Sequence, residues 1–132
     1  MIHSEIETKI KKQCTDEIVL NFIEKGNVKG GVMYECSCVT VFGTSYQKNQ
    51  YVLLPKSKNE SLFVGKIEKT LCCSESGYIL YRIMISEYCN KTDLVFVKET
   101  DLFEIIPIKW LADPRPLEVK RINPKNPIQF QN

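Results

Sequence analysis

The sequence predicts a mainly-β domain: a helical lead-in, a small antiparallel β-barrel and a proline-rich extended tail. Three observations predict it. Apolar residues recur at helical spacing up to residue 25 and then alternate with a period of two from residue 32. The alternating runs are short and separated by polar turn clusters such as Gly43-Thr-Ser45 and Ser74-Glu-Ser-Gly77. Five of the six prolines (Pro107, Pro114, Pro116, Pro124 and Pro127) lie beyond residue 106. The division expected is 1–30 for the lead-in, 31–110 for the barrel and 111–132 for the tail.

Residues 4–25 read as helix because Ile6, Ile10, Ile18, Leu20, Phe22 and Ile23 fall loosely on one side, with lysine and glutamate between them. Thr15 or Asp16 is a natural N-cap for a second short helix within that span. The glycines between Lys25 and Gly31 stop it. In the next run Val32, Tyr34, Cys36, Cys38, Thr40 and Phe42 are expected to face the core. Tyr51–Leu54 reads as a short buried strand stopped by Pro55. Residues 62–71 read as a longer strand with Phe63, Ile67 and Leu71 on one face, and Gly65 marks a bulge or bend. In residues 78–88, Ile79, Tyr81, Ile83 and Ile85 share one face, while Tyr78, Leu80, Arg82, Met84 and Tyr88 share the other. Leu94–Val97 reads as a last short strand, and residues 101–106 as one helical turn capped by Thr100 or Asp101. About five short strands with tight turns favour closure into a barrel, which removes exposed edges. The expected core is Phe63, Ile67, Leu71, Ile79, Tyr81, Ile83, Val95 and Val97.

Composition narrows the function. The chain has 132 residues, 43% hydrophobic and 26% charged, so disorder is excluded for most of it. Its apolar runs fall far short of the ~20 residues a membrane helix needs. A net charge of +2 is too weak to indicate nucleic acid by itself. The opening Met1-Ile-His-Ser-Glu-Ile-Glu7 lacks the basic and apolar regions of a signal peptide, so an intracellular setting is expected. The six cysteines are then reduced thiols. Cys36-x-Cys38 and Cys72-Cys73 lack the spacing of a structural zinc site, and burial is the expected fate of these thiols. The single histidine, His3, has no visible partner, which argues against a Ser-His or Cys-His mechanism. There is no glycine-rich phosphate loop. The sequence therefore predicts no enzyme, no cofactor and no metal.

The stretch from Gly43 to Ile106 resembles a bromo-adjacent homology (BAH) domain. The residues that carry the resemblance are Tyr46-Gln-Lys-Asn-Gln-Tyr-Val-Leu-Leu54, Leu62-Phe-Val-Gly-Lys-Ile-Glu-Lys69, Tyr78-Ile-Leu-Tyr-Arg82 and Thr100-Asp-Leu-Phe-Glu104. Gln50 stands where that family often has an acidic residue, and Tyr81-Arg-Ile-Met-Ile-Ser86 replaces its tryptophan-containing strand. The proline-rich end is also similar to the tails of transposable-element-derived reading frames. The resemblance implies a barrel of SH3 or BAH type, a nuclear setting, and binding of protein or chromatin rather than chemistry.

Two sets of side chains are candidates for that binding. Tyr78, Tyr88 and Trp110, with Tyr51 as a fourth, are the aromatics available for a ligand-binding cage, which holds a cation against ring faces. Against the cage stands the ordinary role of half-buried tyrosines at strand ends and of a tryptophan pinning the tail. Lys56 and Lys58 in a loop, with Lys120, Arg121 and Lys125 in the tail, form a basic set suited to phosphate contacts, which makes nucleic acid the alternative partner.

Overall fold

A computed structural model of the chain describes residues 6–26, 28, 31–55, 64–73, 76–91, 94–117, 119–120 and 128–130. Among the described residues the architecture is one antiparallel sheet with a single short helix. Its strands are β1 (Ile6–Gln13), β2 (Tyr34–Val41), β3 (Thr44–Tyr46), β4 (Tyr51–Leu53), β5 (Val64–Cys73), β6 (Ser76–Cys89), β7 (Leu94–Pro107), β8 (Val119–Lys120) and β9 (Ile128–Phe130). Helix α1 (Glu17–Glu24) lies between β1 and β2, and a 3-10 turn (Ile108–Trp110) follows β7. The hydrogen-bonded order is β1-β2-β5-β6-β7-β9-β8, with β3 on β2 and β4 on β5.

The mainly antiparallel β character and the short helix near the start agree with the sequence reading. Among the described residues the hydrogen-bonded ladder runs as an open sheet. A single bridge, Tyr51 to Leu117, links β4 to the residues that precede β8, with the Leu117 amide donating to the Tyr51 carbonyl at 2.7 Å. Ala112 N–H donates to the Leu53 carbonyl at 3.0 Å, and the Tyr46 hydroxyl donates to the Pro114 carbonyl. The described part of the proline-rich segment is therefore tied along β4. Leu111 and Ile108 are its buried anchors. Trp110 does not pin the tail: it is 62% exposed.

Three local expectations are corrected. The first half of the expected helix is strand β1, and only residues 17–24 are helical. Ile6, Thr8 and Ile10 are β-branched and two residues apart, so they satisfy a strand as well as a helix, and pairing with β2 decides between them. Helix α1 does start where expected: Asp16 caps it by accepting from the Ile18 amide at 2.9 Å, and Gly26 ends it at φ +76°. Its buried side is Val19 with Phe22 and Ile23, while Ile18 and Leu20 remain exposed.

The second correction concerns alternation in β2. Cys36 and Val39 are both buried, Tyr34 and Phe42 are exposed, and Met33 is fully buried. Thr8 pairs with Val39 and Ile10 with Cys36, so β2 carries one extra residue there. That bulge reverses which side chains face inward.

The third concerns residues 101–106, which continue β7 instead of forming a helical turn. Arg82 pairs with Phe103 and Met84 with Glu99, leaving Thr100, Asp101 and Leu102 opposite Ile83 alone. The Thr100 hydroxyl holds this bulge by donating to the Ile83 carbonyl at 2.6 Å and accepting from the Leu102 amide at 3.1 Å. A threonine that looks like a helix cap is here pinning a turn within a strand.

The sheet is buried on both faces. One face packs Cys36, Val39, Tyr46, Val52, Leu54, Ile67, Ile79 and Tyr81 against Ile106, Ile108 and Leu111. The other packs Leu71, Cys73 and Leu80 against α1, with Cys14 and Met33. A smaller cluster joins Tyr51, Val64, Met84 and Val97. Of the expected core, Ile67, Leu71, Ile79, Tyr81 and Val97 are buried and Ile83 is half-buried. The side chains of Phe63 and Val95 lie outside the described residues.

Burial also sets an alkaline limit. It pushes the Tyr46, Tyr78 and Tyr81 hydroxyls above their ordinary value, and Tyr81 rises further by donating to Glu104 at 3.0 Å. The Cys36 thiol is pushed up to about 12, first by burial and then by the neighbouring Cys72. The unfolded chain releases these protons from pH about 9–10 while the folded chain retains them. Their contribution to stability is thus complete below that range and lost as pH rises through it. Urea midpoints under reductant are expected to be level from pH 7 to about 9 and to fall above it. A level midpoint up to pH 11 would contradict this.

Candidate functional site

The expected aromatic set is spread over three elements: Tyr78 and Tyr88 on β6, Tyr51 on β4 and Trp110 in the 3-10 turn. Tyr78 is half-buried on the α1 side, where its ring meets Phe22 edge-on at 6.0 Å between centroids and 70° between planes. Tyr88 sits ten positions further along β6, opposite Val95, and its side chain lies outside the described residues. Tyr51 is in the core. Trp110 presents most of its ring to solvent. Of the basic set, Lys56, Lys58, Arg121 and Lys125 lie outside the described residues, and Lys120 is seen only through its backbone on β8, opposite Gln129.

Two features that the sequence reading passed over are better formed. The first is the β2–β3 hairpin. Val41 pairs with Thr44, so Phe42 and Gly43 alone make the turn, with φ +48° and +83°. Positive φ at both central residues is the type I′ geometry that matches strand twist. Asparagine or glycine normally fills its first position, because an L side chain there costs about 1–2 kcal/mol. This chain puts a phenylalanine there with 76% of its surface exposed. The hairpin beneath it is firm: Thr40 and Ser45 hydroxyls bond at 2.8 Å, and Tyr46 is buried.

The second is a polar cavity of about 150 Å³ at the junction of β1, β2 and β5. Lys11 comes from β1, Glu35, Cys36 and Ser37 from β2, Lys48 from the turn after β3, and Glu68, Lys69 and Thr70 from β5. Lys69 Nζ donates to Glu35 at 2.6 Å, which holds that carboxyl below its usual range; the charges of Lys69, Lys12 and Lys11 act the same way. Arg82 Nε donates to Glu68 at 3.1 Å, and its guanidinium lies 4.5 Å from the Phe103 ring centroid. Both cavity carboxylates are therefore neutralised. Lys11 and Lys48 form no ion pair among the described residues, which leaves two cations for an anionic group. Lys9-Ile-Lys-Lys12 in an exposed edge strand was the available sequence signal, hidden by reading that stretch as helix.

The described thiols are buried, except Cys38, which is half-buried. Cys72 and Cys73 face opposite sides of the sheet, as alternation requires. Among the described residues, no three His, Cys, Asp or Glu side chains converge as a metal site would need, and no helix is long and apolar enough to cross a membrane.

Comparison with known proteins finds no family model, no curated protein and no solved structure that matches this chain.

Proposed function

We propose that this chain is a non-enzymatic interaction module that binds a protein or chromatin partner in the nucleus, using a small barrel similar to BAH domains. The observation that carries the reading is Phe42. The chain holds this aromatic at the tip of a type I′ turn, at positive φ and largely exposed. Strain retained at an exposed position points to use by a partner, and aromatic anchors dominate binding energy at protein interfaces. Trp110 is a second exposed anchor, and the one member of the expected cage with a freely presented ring among the described side chains. The bridge from Leu117 to Tyr51 supports a barrel, since it ties the segment after β7 back to β4.

The alternative reading, a nucleic-acid-binding barrel, is favoured by the cavity lysines Lys11 and Lys48 together with Lys12 on the edge strand. The two readings separate in a salt series comparing nucleosomes with free DNA of the same length. A protein-directed module prefers nucleosomes and keeps that preference at moderate salt. Equal binding to both, falling steeply with salt, supports phosphate contacts instead. Absence of binding to either removes chromatin as the partner.

A further inference from the structure

We propose that Cys36 and Cys72 are a dithiol site that closes to a reversible disulfide with a small peroxide, locking the β1–β2–β3 layer onto β5. The Cys36 thiol donates to the Cys72 sulfur at 3.2 Å, and each residue is 4% exposed. A disulfide bond is about 2.05 Å long, so the sulfurs need to approach by only about 1 Å.

The position of the pair gives the bond a consequence. The β2–β5 ladder has three residue pairs: Tyr34 with Cys72, Glu35 with Leu71, and Cys36 with Thr70. By contrast, β5 and β6 pair along the whole length of β5. The thiols thus sit at a short joint between strands β1–β3 and the rest of the sheet. The cavity beside that joint has Cys36 in its lining, and its volume of about 150 Å³ exceeds that of a hydrogen peroxide molecule. The layer it would lock also carries Phe42, so closure would fix the hairpin relative to β5.

The chemistry balances with peroxide as oxidant. Cys36 sulfur, having lost its proton, attacks one peroxide oxygen. The O–O bond breaks, hydroxide leaves and takes up that proton as water, and Cys36 becomes a sulfenic acid. Cys72 sulfur then attacks Cys36 sulfur. The S–S bond forms, the S–O bond breaks, and the hydroxyl leaves as water with the Cys72 proton. Two thiols give up two electrons and one peroxide becomes two waters. Burial and the neighbouring Cys72 raise the affinity of Cys36 for its proton, so little thiolate forms near neutral pH and the first step is slow.

The test is to treat the native full chain with hydrogen peroxide, alkylate free thiols in acid-quenched denaturant, and map peptides by mass. The expected result is a peptide joining Cys36 to Cys72, released by dithiothreitol, with a melting temperature raised by about 10 °C in the oxidised protein. Cys72→Ala should lose both the cross-link and the rise, while Cys14→Ala keeps both. Full alkylation of both thiols, a sulfinic acid at Cys36, or a bond from Cys36 to another cysteine overturns the proposal. The wild-type map decides even if Cys72→Ala fails to fold.

Discussion

Gly65→Ala is expected to destabilise the protein by about 1–3 kcal/mol, the range for overpacking a filled core. A Cβ built on Gly65 lies 2.8 Å from Tyr81 Cδ2, 3.2 Å from Tyr81 Cγ and 3.2 Å from Leu54 Cδ1. The ring has little freedom to give way. Tyr81 is buried, pairs with Ile67 across the β5–β6 ladder, and is tethered through its hydroxyl to Glu104. The effect on the urea midpoint would come with an unchanged slope, as for a loss of stability without a change of fold. Tyr81→Leu in the Gly65→Ala background should recover part of the loss by removing the ring from the alanine methyl. A cost below about 0.5 kcal/mol for Gly65→Ala would mean that the ring does not sit against Gly65.

Leu71→Ala and Ile67→Ala should each cost about 3 kcal/mol, because both side chains are fully buried. They should report on different parts of the molecule. Ile67 pairs with Tyr81 and Lys69 with Leu80, so Glu68 is an extra residue, and the bulge turns Ile67 and Leu71 to opposite faces. Leu71→Ala is then expected to speed amide exchange in α1, which covers its face. Ile67→Ala should do so in β4 and around Leu111. An α1 that responds to Ile67→Ala but not to Leu71→Ala would place the bulge elsewhere.

That bulge shows where sequence reasoning runs out. Period-two alternation located β4, β5 and β6 well, and the faces of Tyr78–Tyr81 agree with it. It failed at each inserted residue: in β2 between Cys36 and Val39, at Glu68, and at Thr100–Leu102. A one-residue bulge, as in β2 and at Glu68, leaves composition and period almost unchanged yet inverts every face beyond it. Gly65 was correctly marked as unusual, but the reason is the Tyr81 ring rather than a bulge at that residue. Strand β1 was missed because an isolated amphipathic stretch does not state its partner, and β2 supplies that partner. The candidate site was less legible still. Phe42 is an ordinary residue in a strand pattern until the two-residue turn gives it φ +48°. The cavity gathers Lys11, Lys48 and Lys69 from three distant stretches, which no local motif announces.

The proposed role of Phe42 is an anchor for a partner, held in place at a cost to the fold. Phe42→Asn tests it with two readouts on one variant. Asparagine tolerates the left-handed conformation, so the variant should be more stable than the parent by about 1 kcal/mol. The measurement is nucleosome affinity of parent and variant at moderate salt, with urea midpoints recorded alongside. Affinity is expected to fall at least about tenfold in the more stable variant, as for loss of an aromatic anchor. Parent and variant binding nucleosomes equally well would contradict it.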